Sequence, residues 1–298
     1  MLSGLALLTA TTSASVSAQA PAGPPPPQMV ELTGSWAMVN DEERLVRIDP
    51  GPELGNFTGF PLNAAGKQKA LTWNATIQAI PEHQSRAHAG SYSMRGGGGP
   101  NIRISKVIDP RTSAWIGYRI DGLYNGANRT IWLDGRPHPS DAAERLWTGF
   151  STGEWENGML HVTTTHFKQM FQQRNGVPVS PYAVMHEYFI RHGDRMTLIS
   201  QIDDPVYLEE PMVRTSTFRW NPGAREGAIA QVDVADEVPG LRQGDVPHYP
   251  LGSKHPEYAD DNKLPFEATL GGKETLYPEY VEKLKQMMLK QAATGGTK

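Results

Sequence analysis

Glu154 and His161 flank Asn157-Gly158 in the run TGEWENGMLHV, and a carboxylate facing an imidazole is a pair equipped for proton transfer. Asn-Gly between two extended runs is the strongest short signal for a two-residue type I′ turn, because both central residues need positive φ. A two-residue loop pairs Glu156 with Met159, Trp155 with Leu160, Glu154 with His161 and Thr152 with Thr163. Side chains alternate with period two, so Trp155, Leu160 and Val162 share one face while Glu154, His161, Thr152, Thr163 and Thr165 share the other. The polar face either lines a pocket or meets water, as one face of an antiparallel sheet commonly does.

A second hairpin, YFIRHGDRM, turns near Gly193 and places Met185, Glu187, Phe189, Met196, Leu198, Ser200 and Ile202 on one face. Glu187 is the lone acid of that apolar surface. It needs a buried cation such as Arg129 or Arg136, or else it is a carboxyl kept neutral in a ligand cavity. In RTIWLDGRPHPSD an Asp134-Gly135 turn precedes Arg136 and His138, which sit between prolines. Arginine and histidine on a stiff loop suit an anionic ligand group, and Asp134 suits the turn itself. The candidates for acid–base chemistry are therefore Glu187, His161 and Glu154. Those for ligand contacts are Arg136, His138, Arg129 and Asp134.

Other chemistries find little support. Nine histidines occur, but there is no HExxH and no close His-x-His pair, so no metal is expected. RGGGGP at 95–100 lacks the GK[ST] of a phosphate loop, and no G-x-S-x-G elbow is present. The absence of cysteine excludes disulfides and thiolate chemistry. A net charge of −4 without a basic run argues against nucleic acid as a partner. No cofactor is expected.

The segment MLSGLALLTATTSASVSAQA ends in an A-x-A pattern and reads as a secretory leader over 1–20, although it lacks a basic start. It predicts a periplasmic or secreted mature chain without a transmembrane segment. A Pro-rich linker over 21–31 follows. Residues 32–220 form a β-rich domain with a long irregular insertion at about 37–100, in which PLNAAGKQKALTWNATIQAI hints at a helix. Residues 221–298 form an irregular extension whose YPEYVEKLKQMMLKQ predicts an amphipathic helix, with Tyr277, Tyr280, Val281, Leu284, Met287 and Met288 as a packing face. Short strands at regular spacing from residue 101 predict a mainly β fold, an antiparallel barrel or a curved sandwich.

RTIWLDGRPHP, WTGFSTGEWENGMLHVTTTHF, the glutamate of VMHEYF and IDDPVYLEEPMVRTSTFRW together resemble a family of exported bacterial β-rich proteins whose middle motif is W-x-G-x-S-x-G-x-W-E-G-D-T-L-x-V-x-T. The likeness spans about residues 129–220. It departs at Asn157-Gly158-Met159, where that family has Gly-Asp-Thr. The resemblance implies export and a β-rich fold, and no particular activity. TGSW at 33–36 also resembles the opening Gly-x-Trp of lipocalin-type barrels, and the arginine of TFRW at 217–220 resembles one that packs over that tryptophan.

These readings lead to an exported protein that binds a small, largely apolar organic ligand in a barrel cavity, anchored by Glu187, His161 and Arg136. The alternatives are a cofactor-independent enzyme using Glu/His acid–base chemistry, and a cell-envelope interaction module.

Overall fold

A computed structural model of the chain describes residues 29–39, 53–73, 90–94, 102–122, 128–173, 175–224 and 254–295. The segment 1–20 read as a leader, the Pro-rich run at 21–28 and RGGGGP lie outside the described residues.

Nine strands close into a barrel: β1 (Gly34–Val39), β2 (Ile102–Ile108), β3 (Trp115–Asp121), β4 (Arg129–Trp132), β5 (Phe150–Glu156), β6 (Met159–Thr165), then β9 (Val184–His192), β10 (Arg195–Asp203) and β11 (Met212–Trp220). Between β6 and β9 the chain makes a small separate ribbon, β7 (Met170–Phe171) with β8 (Pro178–Val179). β1 closes the barrel by pairing with both β2 and β11, so neither end strand leaves a free edge there. The architecture is a mainly β barrel followed by a C-terminal helix, as the strand spacing predicts. All neighbours are antiparallel except β4 and β5, which run parallel. A parallel pair needs a crossover, and residues 133–149 supply it; that crossover carries Asp134, Arg136 and His138.

Both hairpins turn as the sequence requires. Asn157 and Gly158 have φ of 49° and 81°, and Glu154 faces His161. The second hairpin closes through Gly193-Asp194, with His192 opposite Arg195 and Glu187 opposite Ser200.

Apolar side chains fill the interior. Trp36, Ile104, Tyr118, Ile120, Leu160, Val162, Phe189, Leu198 and Phe218 are among those that form one buried cluster. Trp36 donates its indole N–H to the Leu32 carbonyl at 2.9 Å and meets Trp220 edge-on. The arginine over this tryptophan is Arg191 of β9, 5.1 Å from the Trp36 ring and 5.2 Å from that of Trp220. The expectation placed Arg219 there. Alternation instead turns Phe218 inward and leaves Arg219 exposed.

A second cluster, including Phe57, Phe60, Leu62, Phe167, Met185, Ile202 and Met212, joins part of the insertion to the barrel. The helix Ala64–Leu71 starts at Asn63, whose Oδ1 accepts from Gly66 N at 2.9 Å while its Nδ2 donates to the Val206 carbonyl at 3.0 Å. The same segment receives the C-terminal extension through Phe57 N to Thr269 O and Gly272 N to Phe60 O, both 2.8 Å.

The C-terminal helix Tyr280–Gly295 corrects one expectation. Its stripe is mostly uncovered: Val281 is 52% exposed and Met288 41%, while Leu284 and Met287 are only half-buried. Tyr280 reaches Ala268 O. Beyond that first turn the helix runs away from the cores that would cover it. Among the described residues no helix is long and apolar enough to cross a membrane.

Candidate functional site

The alternation of β5, β6 and β9 creates two polar clusters, one on each side of the barrel wall. Inward along these strands point Ser151, Thr164 and Glu187, all buried. Arg129, at the start of β4, enters the same space. Its Nη1 donates to Glu187 Oε1 at 3.0 Å, and its Nη2 pairs with Glu187 Oε2 and donates to Thr164 Oγ1 at 2.7 Å. Nε donates to Ser151 Oγ at 3.1 Å, and the Ser151 and Thr164 hydroxyls are 2.9 Å apart. Glu187 and Arg129 side chains have no solvent exposure. Each charge is thus answered by its partner and by neutral hydroxyls, the condition under which a buried pair is tolerated. The cation beside Glu187 is Arg129 and not Arg136.

Outward on the same strands point Thr152, Glu154, Glu156, His161, Thr163, Thr165, His186 and Tyr188. The His161 ring stacks on Tyr188, with centroids 4.7 Å apart and 8° between planes, and lies beside His186 at 5.5 Å. Its Nε2 is 3.3 Å from His186 Nδ1. Its Nδ1 faces Glu154 Oε1 at 3.7 Å and Glu156 Oε1 at 3.6 Å.

His138 lies against this face from the crossover. Its Nε2 is 2.8 Å from Thr152 Oγ1 and its Nδ1 2.7 Å from Thr165 Oγ1. Thr165 Oγ1 is also 2.7 Å from His166 Nδ1, and His166 Nε2 is 2.9 Å from the Ser140 carbonyl. A carbonyl only accepts, so with neutral rings the whole chain takes one direction. His166 Nε2–H donates to Ser140 O, Thr165 O–H donates to His166 Nδ1, His138 Nδ1–H donates to Thr165, and Thr152 O–H donates to His138 Nε2. Burial holds the His138 pKa below the ordinary imidazole value, which favours the neutral ring that this direction requires.

The relay ends at an outer recess of about 230 Å³ lined by Gly135, Arg136, Thr152, Gly153, Glu154, His161 and Thr163. Because the Thr152 proton is committed to His138, its oxygen offers the recess only lone pairs. Arg136 lies 3.6 Å over the Trp132 ring and donates Nε to Asp134 Oδ1 at 2.8 Å. That hydrogen bond holds the Asp134 carboxyl below its usual range and raises the Arg136 guanidinium.

The structure therefore brings Glu154, His161 and Arg136 to one recess, with Asp134 bonded to Arg136 and His138 immediately behind Thr152. Arg129 and Glu187 stand together on the other side of the wall. Glu187 and His161 do not share a face: their strands pair as Val162 to Glu187 and His161 to Tyr188, so the two side chains point to opposite sides of the wall. Sequence reasoning missed His186 and Tyr188, which reach His161 through the pairing of β6 with β9, a partnership that skips the β7–β8 ribbon. It also missed His166, whose φ of 60° turns it out of the strand alternation toward the crossover. Ser151 and Thr164 were within reach, since period-two counting from Trp155 and Val162 leads inward to both. No family model, curated protein or solved structure matches the chain.

Proposed function

We propose that this is an exported binding protein whose ligand, a small hydroxyl- or amine-bearing organic molecule, occupies the outer recess between the crossover and the β5–β6 hairpin. The observation that carries this reading is the convergence of Thr152, Glu154, His161 and Arg136 on one concavity, with Thr152 held as an acceptor by His138. Thr152 and Glu154 both require donors from the ligand, while Arg136 keeps guanidinium N–H groups for an acceptor. A volume of about 230 Å³ is the share of roughly eight waters at ~30 Å³ each, the size class of an amino acid or a monosaccharide. An apolar ligand inside the barrel would have to displace the side chains that fill it. Export rests on the leader-like segment 1–20 and on the resemblance over 129–220.

Thermal shift and calorimetry with a panel of polyols, amino acids and amines test the binding. One chemical class is expected to raise the melting temperature of the wild type and to lose its effect in Thr152→Val and Arg136→Ala. A panel without response at millimolar concentration, or a response equal in both variants, overturns the proposal. Proton transfer by Glu154 and His161 is the second reading, favoured by their cross-strand pairing at the recess. Turnover of the bound compound, lost in Glu154→Gln with binding retained, would distinguish it.

A further inference from the structure

We infer that Glu154, Glu156 and His161 form a binding site for a first-row divalent transition ion, Zn²⁺ or an ion of similar preference, beside the recess. The ligand atoms His161 Nδ1, Glu154 Oε1 and Glu156 Oε1 lie within 4.8 Å of one another. The imidazole stands 3.7 and 3.6 Å from the two carboxylate oxygens, too far for either to be a hydrogen bond. It is close to the donor–donor edge of a tetrahedral zinc site, about 3.4 Å for bonds of 2.0–2.1 Å. One imidazole nitrogen and two solvent-facing carboxylates that lie this close leave room for a cation to enter from solvent.

The surroundings of His161 fit the same assignment. A ligating imidazole donates its other N–H to an acceptor, which fixes tautomer and ring plane. His161 Nε2 lies 3.3 Å from His186 Nδ1, which accepts from it when His161 carries its proton on Nε2; Tyr188 stacks flat on the ring, and in that tautomer Nδ1 is left to the ion. Two carboxylates and a neutral imidazole balance the charge of a divalent ion. The set contains no thiolate, and imidazole with carboxylate suits zinc, cobalt, nickel or manganese. Three protein donors leave a coordination position open on the side where Glu154 and His161 line the recess. A ligand hydroxyl oxygen can take that position while its O–H donates a hydrogen bond to Thr152 Oγ1. The inference thus rests on the reading of the outer wall as the functional face, but the ion site is measurable with no organic ligand present.

The full chain, stripped with a chelator, is titrated with Co²⁺ and followed by visible absorption, then with Zn²⁺ in competition. The expected result is one ion per chain with displacement by Zn²⁺, and a Zn²⁺-dependent rise in melting temperature. His161→Gln is expected to abolish binding, and Glu156→Gln to weaken it by about 100-fold. His186→Phe, which removes only the positioning acceptor, is expected to weaken it by about 10- to 100-fold. Glu156 lies outside the recess lining, so Glu156→Gln reads the ion site, whereas Thr152→Val reads the organic ligand. Wild type that takes up neither ion at micromolar concentration, or binding undiminished in His161→Gln and Glu156→Gln, overturns the proposal. Circular dichroism of each variant shows that it is folded.

Discussion

The inner and outer faces of β5, β6 and β9 carry similar polar residue types in opposite states. Inside, Arg129 spends its guanidinium on Glu187, Ser151 and Thr164, and nothing charged is left over. Outside, the chain from Ser140 through His166, Thr165 and His138 is closed at one end by a carbonyl and open at the other, at Thr152. The inner cluster is complete and sealed, so it can hold the barrel together but has nothing to offer a ligand. The outer cluster has unspent lone pairs and charges over a recess. A buried ionisable residue in an apolar strand is thus a poor guide to function by itself; what matters is whether its partners are already all within the fold.

The largest expected effect breaks the inner cluster. Glu187→Gln leaves Arg129 buried with an uncompensated charge and is expected to cost about 3–5 kcal/mol in chemical denaturation. Arg129→Met combined with Glu187→Leu removes both charges and should recover most of that loss. If Glu187→Gln proves neutral, the inner pair is not structural and the contrast between the faces collapses.

Next comes the relay. Thr165→Val removes the hydroxyl between His138 and His166, leaving one imidazole donor and one acceptor unanswered, at about 1–3 kcal/mol for each group that stays dry. The loss should be smaller than at Glu187, because no net charge is stranded and His138 is only partly buried. A denaturation midpoint equal to wild type would mean that water replaces the hydroxyl and that the crossover is not pinned through His138.

A third, smaller effect tests the hairpin that sets both faces. Gly158 has φ of 81°, so Gly158→Ala should cost about 1–2 kcal/mol. The register should survive, since slipping by one residue would turn Leu160 and Val162 outward and His161 inward. Loss of Co²⁺ binding with stability barely altered would instead indicate a register slip.

Local rules made the hairpins legible: Asn157-Gly158 dictated the turn, and alternation gave the registers and the residues that share each face. It did not say which face turns inward, so Glu187 and His161, expected as anchors of one cavity, stand on opposite sides of the wall. The same alternation, carried to residue 219, would have turned that arginine outward. What stayed hidden depends on strands that are distant in sequence. The β4–β5 parallel pair and the β6–β9 pair decide that His138 reaches Thr152 and that His186 reaches His161, and no spacing along the chain encodes either contact. Glu154, Glu156 and His161 likewise meet across a hairpin, a grouping that spacing along one element does not register. The exposed stripe of the C-terminal helix shows the converse failure, since periodicity reports an amphipathic face but not whether a partner covers it.

The smallest effect is a pH dependence that only the outer cluster should confer. Burial lowers the folded pKa of His138 from the ordinary imidazole value of about 6.5, and Arg136 stands two residues away in the same loop with its charge balanced by Asp134. Between the lowered folded value and 6.5 the unfolded chain binds the proton and the folded chain does not. Stability therefore rises with pH across that window, is fully present above about 6.5, and falls as the solution is acidified below it. Protonation also reverses the direction demanded of Nε2, which must then donate to Thr152 and free that hydroxyl's proton for the recess. Denaturation midpoints at pH 5 and 7.5 in wild type and His138→Gln measure the difference. The variant should lose part of the acid sensitivity while retaining whatever other groups contribute. An acid response identical in the two proteins would place the titrating group elsewhere and leave the directed chain from Ser140 to Thr152 without its neutral imidazole.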